Sequence, residues 1–128
     1  MIIKHLKNLP EDKVVNWGNG KSSRFLTKSD NLPFSVTKTI VNKGTTSKLQ
    51  YLNHVEACYC ISGKGSVRSK GESYEIVPDT LYIPENDEHE LSASDEEDLV
   101  LMCVFFPALN GDERHKLSED GYSTYQIE

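Results

Sequence analysis

The chain has 128 residues, 37% of them hydrophobic and 27% charged, with a formal net charge of −6. That length suits one domain around one core. An acidic balance without a basic block excludes nucleic acid and anionic membrane as expected partners, leaving a small molecule. The longest apolar run, Leu99 to Pro107, is too short to cross a bilayer. The opening MIIKHLKNLP has no long apolar segment or small-residue cleavage site, so the cytoplasm is the expected compartment. Three cysteines, Cys58, Cys60 and Cys103, are an odd number and do not form a disulfide framework; they are expected reduced and buried.

In chain order, residues 1–4 read as an edge strand and Asn8-Leu9-Pro10 as a turn. Trp17-Gly-Asn-Gly20 is a tight loop, Arg24-Phe25-Leu26 opens a strand, and Lys28 to Asn31 turns the chain again. Phe34 to Val41 has high β propensity, with Ser35, Thr37 and Thr39 on one face. The segment VEACYCI places Glu56, Cys58 and Cys60 on one face and Val55, Ala57, Tyr59 and Ile61 on the other. Both faces are largely apolar, so this strand is expected to be covered on both sides. Gly65–Arg68 and Glu72–Val77 flank Lys70-Gly71 as a hairpin, Thr80–Pro84 is a strand, and His89–Ala93 is another. The acidic stretches 85–90 and 95–98 read as solvated turns. In LVLMCVFF, Leu99, Leu101, Cys103 and Phe105 share a face. Beyond Pro107 the alternation dissolves into a polar tail. Many short strands separated by turns predict an all-β sandwich or small barrel, the jelly roll among them.

A lone carboxylate, Glu56, in an apolar strand calls for a partner: a metal, an arginine, a ligand amine, or a basic side chain at the core edge. The run Thr80 to His89 ends a strand at Pro84 and opens the next with a histidine. Together the two stretches resemble the paired motifs of the cupin superfamily. Gly44, Glu56 and Gly63 fit the spacing of the first motif, with Gln50 and Leu52 at its two histidine positions; Pro84 and His89 fit the second. Asn86 stands where that motif has glycine, and asparagine tolerates positive φ. If Glu56, Tyr82 and His89 converge, they supply carboxylate, phenol and imidazole, a set suited to a divalent first-row metal. Taken singly, His89 also reads as a hydrogen-bonded core histidine and Tyr82 as a packed ring with a satisfied hydroxyl.

The segments YLNHVEACYCISGKGSV, DEHELSAS and CVFFPALNGDERHKLSEDGYS resemble the ectoine synthase family, over roughly Trp17 to Tyr122. This resemblance implies a single cupin domain over 1–128, with 107–128 as a C-terminal lid or tail. It implies a hydro-lyase that closes N-γ-acetyl-2,4-diaminobutyrate into the cyclic amidine ectoine, a compatible solute. Glu56, Tyr82 and His89 fall where the family binds iron(II). Trp17, Arg24, Thr39, Tyr51, Cys103 and Phe105 fall among its substrate contacts, and Glu113 and His115 join Glu56 and Tyr82 as catalytic positions. The resemblance also implies a head-to-tail homodimer, which would cover the outer apolar faces. The chain departs from the family in having one residue fewer between Tyr82 and His89, more between His89 and Phe105, and no histidine near Gln50. From residue pattern alone Glu113 and His115 also read as a solvated tail, and Arg24 as a surface ion pair. Two other readings stand beside this one: a cupin enzyme acting on another small amino-acid derivative, and a non-catalytic cupin that binds a small polar solute.

Overall fold

The computed structural model describes residues 1–118 and 121–126, with side chains described to Thr124. The strands are β1 (Val14–Asn16), β2 (Gly20–Leu26), β3 (Ser35–Val41), β4 (Thr46–Leu49), β5 (Val55–Ser62) and β6 (Gly65–Ser69). They continue with β7 (Glu72–Ile76), β8 (Leu81–Tyr82), β9 (His89–Ala93), β10 (Leu99–Phe106), β11 (Arg114–His115) and β12 (Tyr125–Gln126). A six-stranded sheet runs β1-β2-β3-β10-β5-β8, a four-stranded one β4-β9-β6-β7, and β11 pairs with β12. All named strand pairs are antiparallel. The two larger sheets form a jelly-roll sandwich, one of the all-β architectures that the strand spacing predicts.

The period-2 pattern sets the core. Leu99, Leu101, Cys103 and Phe105 of β10 and Cys58 and Cys60 of β5 face Leu49, Val67, Ile76, Leu91 and Ala93 of the other sheet, all buried. Gly63 turns β5 into β6 at φ +86, and a Cβ there would stand 2.1 Å from the Asp98 carbonyl oxygen, so the position accepts only glycine. At one end of the sandwich polar side chains replace the apolar ones: Ser22, Arg24, Thr37, Glu56 and His89 are buried there.

Several expectations are corrected. Residues 1–4 form no strand; Lys4 pairs with Asp30 instead, and a 3-10 turn follows at Leu6–Asn8. Arg24 to Leu26 closes β2 rather than opening it. The strand expected over Thr80–Pro84 pairs only through Leu81 and Tyr82. Among the described residues nothing covers the outer face of β5: Val55, Tyr59 and Ile61 are exposed. Positive φ falls on Glu85, not Asn86. The Asn86 amide instead donates to the carbonyls of Tyr51 (2.8 Å) and His54 (3.2 Å), tying two loops together.

The described part of the tail is anchored. Leu109 is buried, its N–H donates to Ser35 Oγ at 2.7 Å, and its carbonyl accepts from the Lys28 N–H at 2.6 Å. Further on, Ser123 bonds the backbone of Lys48 and Gln50 beside β4. The solvated-tail alternative therefore does not describe Glu113, which is buried.

Candidate active site

Register brings the chemistry together. On β5, Glu56 and Cys58 point inward; β10 sets Phe105 opposite Glu56 and Cys103 opposite Cys58, and β8 sets Tyr82 opposite Cys58 on the other side. From the second sheet, the first residue of β9, His89, faces across the sandwich. One narrow cavity is lined by Glu56, Tyr82 and His89 together with Trp17, Arg24, Thr39, Tyr51, Cys103 and His115. Nine of the predicted site residues thus border one space. Phe105 stands behind it, packed edge-on against the Tyr51 ring at 5.4 Å, and Glu113 stands behind Arg24.

The electrostatics follow from burial. Desolvation pushes the Glu56 carboxyl up to about 7; its hydrogen-bonding neighbours, the Cys58 and Cys103 thiols, pull the other way. Such a carboxylate gains most from a cation placed in the cavity. His89 Nδ1 lies 2.9 Å from the Asp87 carbonyl, which can only accept, so Nδ1 carries the proton. Burial holds this imidazole below its ordinary pKa, leaving it neutral with a lone pair on Nε2. That is the state a metal-binding histidine adopts. Burial also drives the Tyr82 phenol well above its usual range, with the Cys58 thiol adding to the effect.

The tail supplies the far wall. Ser123 Oγ donates to the Thr124 carbonyl at 3.1 Å, so it accepts from His115 Nδ1–H at 3.0 Å. His115 Nε2 therefore accepts the Tyr51 hydroxyl proton across 3.0 Å. Burial, followed by repulsion from His89 where that ring is protonated and from Arg24, pushes the His115 pKa down to about 3. Arg24 is 1% exposed; its Nη1 lies 3.7 Å from Glu113 Oε1. Both Glu113 oxygens also accept backbone N–H bonds at 2.8 Å, from Asn110 and Gly111. Trp17 Nε1 is buried at the cavity wall with no hydrogen-bond partner among the described residues.

The sequence reading missed Ser22, Leu49, Leu91 and Leu101 in the cavity lining. Ser22 shares the inward face of β2 with Arg24 two residues on, so period 2 could have found it. It also missed that Cys58 and Cys103 meet: with Glu56 they form a buried group whose ligand atoms lie within 4.8 Å of one another, able to hold a divalent cation. That pairing depends on β5–β10 register, which no local signal carries.

Fold and cavity define a cupin with a buried, ligand-lined pocket. Among solved structures, a cupin 2 conserved barrel protein from Salinispora arenicola superposes with a TM-score of 0.66 at 17% identity, covering 83% of this chain and 88% of that one, which speaks to fold alone. An ectoine synthase from P. lautus superposes with a TM-score of 0.81 at 35% identity, covering 87% of this chain and 81% of that one. The sequence profile of the ectoine synthase family matches residues 1–126. L-ectoine synthases of Oceanobacillus iheyensis and Desulfatibacillum aliphaticivorans are 43% and 47% identical, covering 94% of this chain and 94% and 95% of their own lengths. The chain belongs to the ectoine synthase family, a family of enzymes.

Proposed function

We propose that this protein is a hydro-lyase that closes N-γ-acetyl-2,4-diaminobutyrate into ectoine, with a divalent metal, iron(II), held by Glu56, Tyr82 and His89. The observation that carries the reading is the convergence of this carboxylate, phenol and neutral imidazole on one buried cavity beside a buried arginine. The donor set fits a first-row ion, since it mixes oxygen with imidazole nitrogen. When bound, such an ion polarises the amide carbonyl oxygen, which is otherwise a poor electrophile.

The chain's own side chains do the rest. Arg24 holds the substrate carboxylate, a charge-assisted contact in a dry site. Trp17 offers its indole N–H, and Thr39, Tyr51, Cys103 and Phe105 shape the wall. The substrate's α-ammonium loses one proton so that nitrogen can attack the amide carbon. A second proton leaves as the C–O bond breaks, and the oxygen departs as water with both. The shuttling base is regenerated when the second proton passes to the departing oxygen; His115 lines the same cavity and holds the Tyr51 hydroxyl in place through Nε2. Glu113 orients Arg24 and pins the segment that carries His115. Residues 107–128, of which 119–120 and 127–128 lie outside the described residues, are the lid in this reading, one that excludes bulk water from a dehydration.

We further propose that the protein is a cytoplasmic homodimer serving compatible-solute synthesis under osmotic stress. Three buried free thiols support a reducing compartment, and the exposed apolar face of β5 and β10 supports the dimer.

The test incubates anaerobic protein, loaded with iron(II), with N-γ-acetyl-2,4-diaminobutyrate and follows the amidine by NMR. Turnover, with about one metal per chain that is lost in His89→Ala, is expected. Absence of turnover by the loaded protein overturns the assignment of substrate.

A further inference from the structure

Cys58 and Cys103 stand directly opposite each other on β5 and β10, both 1% exposed, with their sulfurs 3.8 Å apart. Glu56, two residues before Cys58 on the same face, brings a carboxylate oxygen within 4.8 Å of both sulfurs. An ion bound tetrahedrally by two thiolates at about 2.3 Å holds those sulfurs about 3.8 Å apart. The two thiols therefore already stand at the edge length of a coordination tetrahedron; a disulfide would need about 2.05 Å. A carboxylate oxygen about 2.1 Å from the same ion would sit roughly 3.6 Å from each sulfur, so Glu56 need close by only about 1 Å. Glu56 and Cys103 line the cavity, which gives an ion its way in, and the Tyr82 phenol neighbours Cys58 as a further donor.

We propose that Glu56, Cys58 and Cys103 form a second metal site, for a thiophilic divalent cation such as zinc or cadmium. Binding exchanges two thiol protons for two metal–sulfur bonds, and the protons leave to solvent. The site shares Glu56 with the Tyr82 and His89 set, so the two ions exclude each other; only this exclusion rests on the reading under Proposed function. Ligand softness sorts them, with thiolates taking the softer ion and phenol and imidazole the harder one. A thiophilic ion is accordingly an inhibitor that works by occupying Glu56.

The probe is cadmium alone, titrated into the full-length, metal-free chain under anaerobic conditions with a non-thiol reductant. The expected result is a cadmium–thiolate charge-transfer band in the ultraviolet, saturating at about one ion per chain and halved in Cys58→Ser and in Cys103→Ser. Cys60→Ser and His89→Ala should leave the band in place, with circular dichroism establishing that each variant is folded. No band in the parent protein, or a band of full intensity in folded Cys58→Ser, overturns the proposal. So does a band lost in folded His89→Ala, which would put cadmium on the other donor set. Iron(II) binding by Cys58→Ser is read separately: its loss there counts against two sites, whereas its absence from the parent protein counts only against the iron reading.

Discussion

Among the described residues the Trp17 indole N–H finds no partner at the cavity wall, and buried donors are seldom left so without a ligand to meet them. Trp17→Phe keeps most of the ring and removes the donor. KM for the substrate should rise about tenfold, the worth of one hydrogen bond of roughly 1.4 kcal/mol, with kcat less affected; unchanged KM would mean the donor never meets substrate. Glu113 differs in kind, because both of its oxygens are already engaged by the backbone and by Arg24. Glu113→Gln sets an amide N–H against a backbone N–H and leaves Arg24 without this counter-charge. It should cost about 2–4 kcal/mol in chemical denaturation. Restoration by Glu113→Asp is not expected, since the shorter side chain cannot span both N–H groups and Arg24.

At the scale of elements, the buried His115 predicts that docking of the tail depends on pH. His115 is held neutral between Tyr51 and Ser123, with a folded pKa near 3 against an ordinary value of about 6.5. Between those values the unfolded or undocked segment binds more protons than the docked one, so docking strengthens as pH rises. The contribution is fully present above about 6.5 and is lost as pH falls toward 3, by at most about 1.4 kcal/mol per unit. Limited proteolysis should therefore cut residues 107–118 faster at pH 5 than at pH 7.5, and His115→Asn should flatten that difference. Equal rates at both pH values in the parent protein would rule out this dependence. Nothing in the tail's own sequence carries this. Its burial comes from partners far away in the chain, Tyr51 lying 64 positions before His115, so a period-2 reading sees only polar residues. By contrast β3, β5, β9 and β10 were legible because alternation fixes which side chains face inward. Glu56 followed from that alternation, His89 from the motif spacing, and Arg24 only from the family resemblance. β8 was less legible: its backbone continues against β5 through Asp79 and Thr80, but only two residues form ladder pairs. The meeting of Cys58 with Cys103 was invisible because strand order is a property of the whole chain.

The molecule as a whole leaves one sheet face unfinished. Register puts Phe106 beside Val55, Val104 beside Ala57 and Met102 beside Tyr59, all on the outer side of β10 and β5, with Leu81 of β8 beside Tyr59 and Ile83 just beyond that strand. Val55, Tyr59, Leu81, Ile83, Val104 and Phe106 are all exposed, Phe106 by 60%. Such a contiguous apolar patch is uncommon on a monomer and marks an interface. A two-fold pairing needs only one surface that complements itself, and a standard interface takes about 800 Å² from each partner. A second copy of this chain laid across β5 and β10 would cover the second face of β5, whose apolar pattern called for cover. Val104 lies near the centre of the patch and points away from the cavity, so Val104→Glu places a charge in the interface without touching the site. Light scattering should then read a dimer for the parent protein and a monomer for Val104→Glu, with the same far-ultraviolet circular dichroism. A parent protein that is monomeric at assay concentration, or a Val104→Glu variant that still dimerises, would mean this face is not where two copies meet.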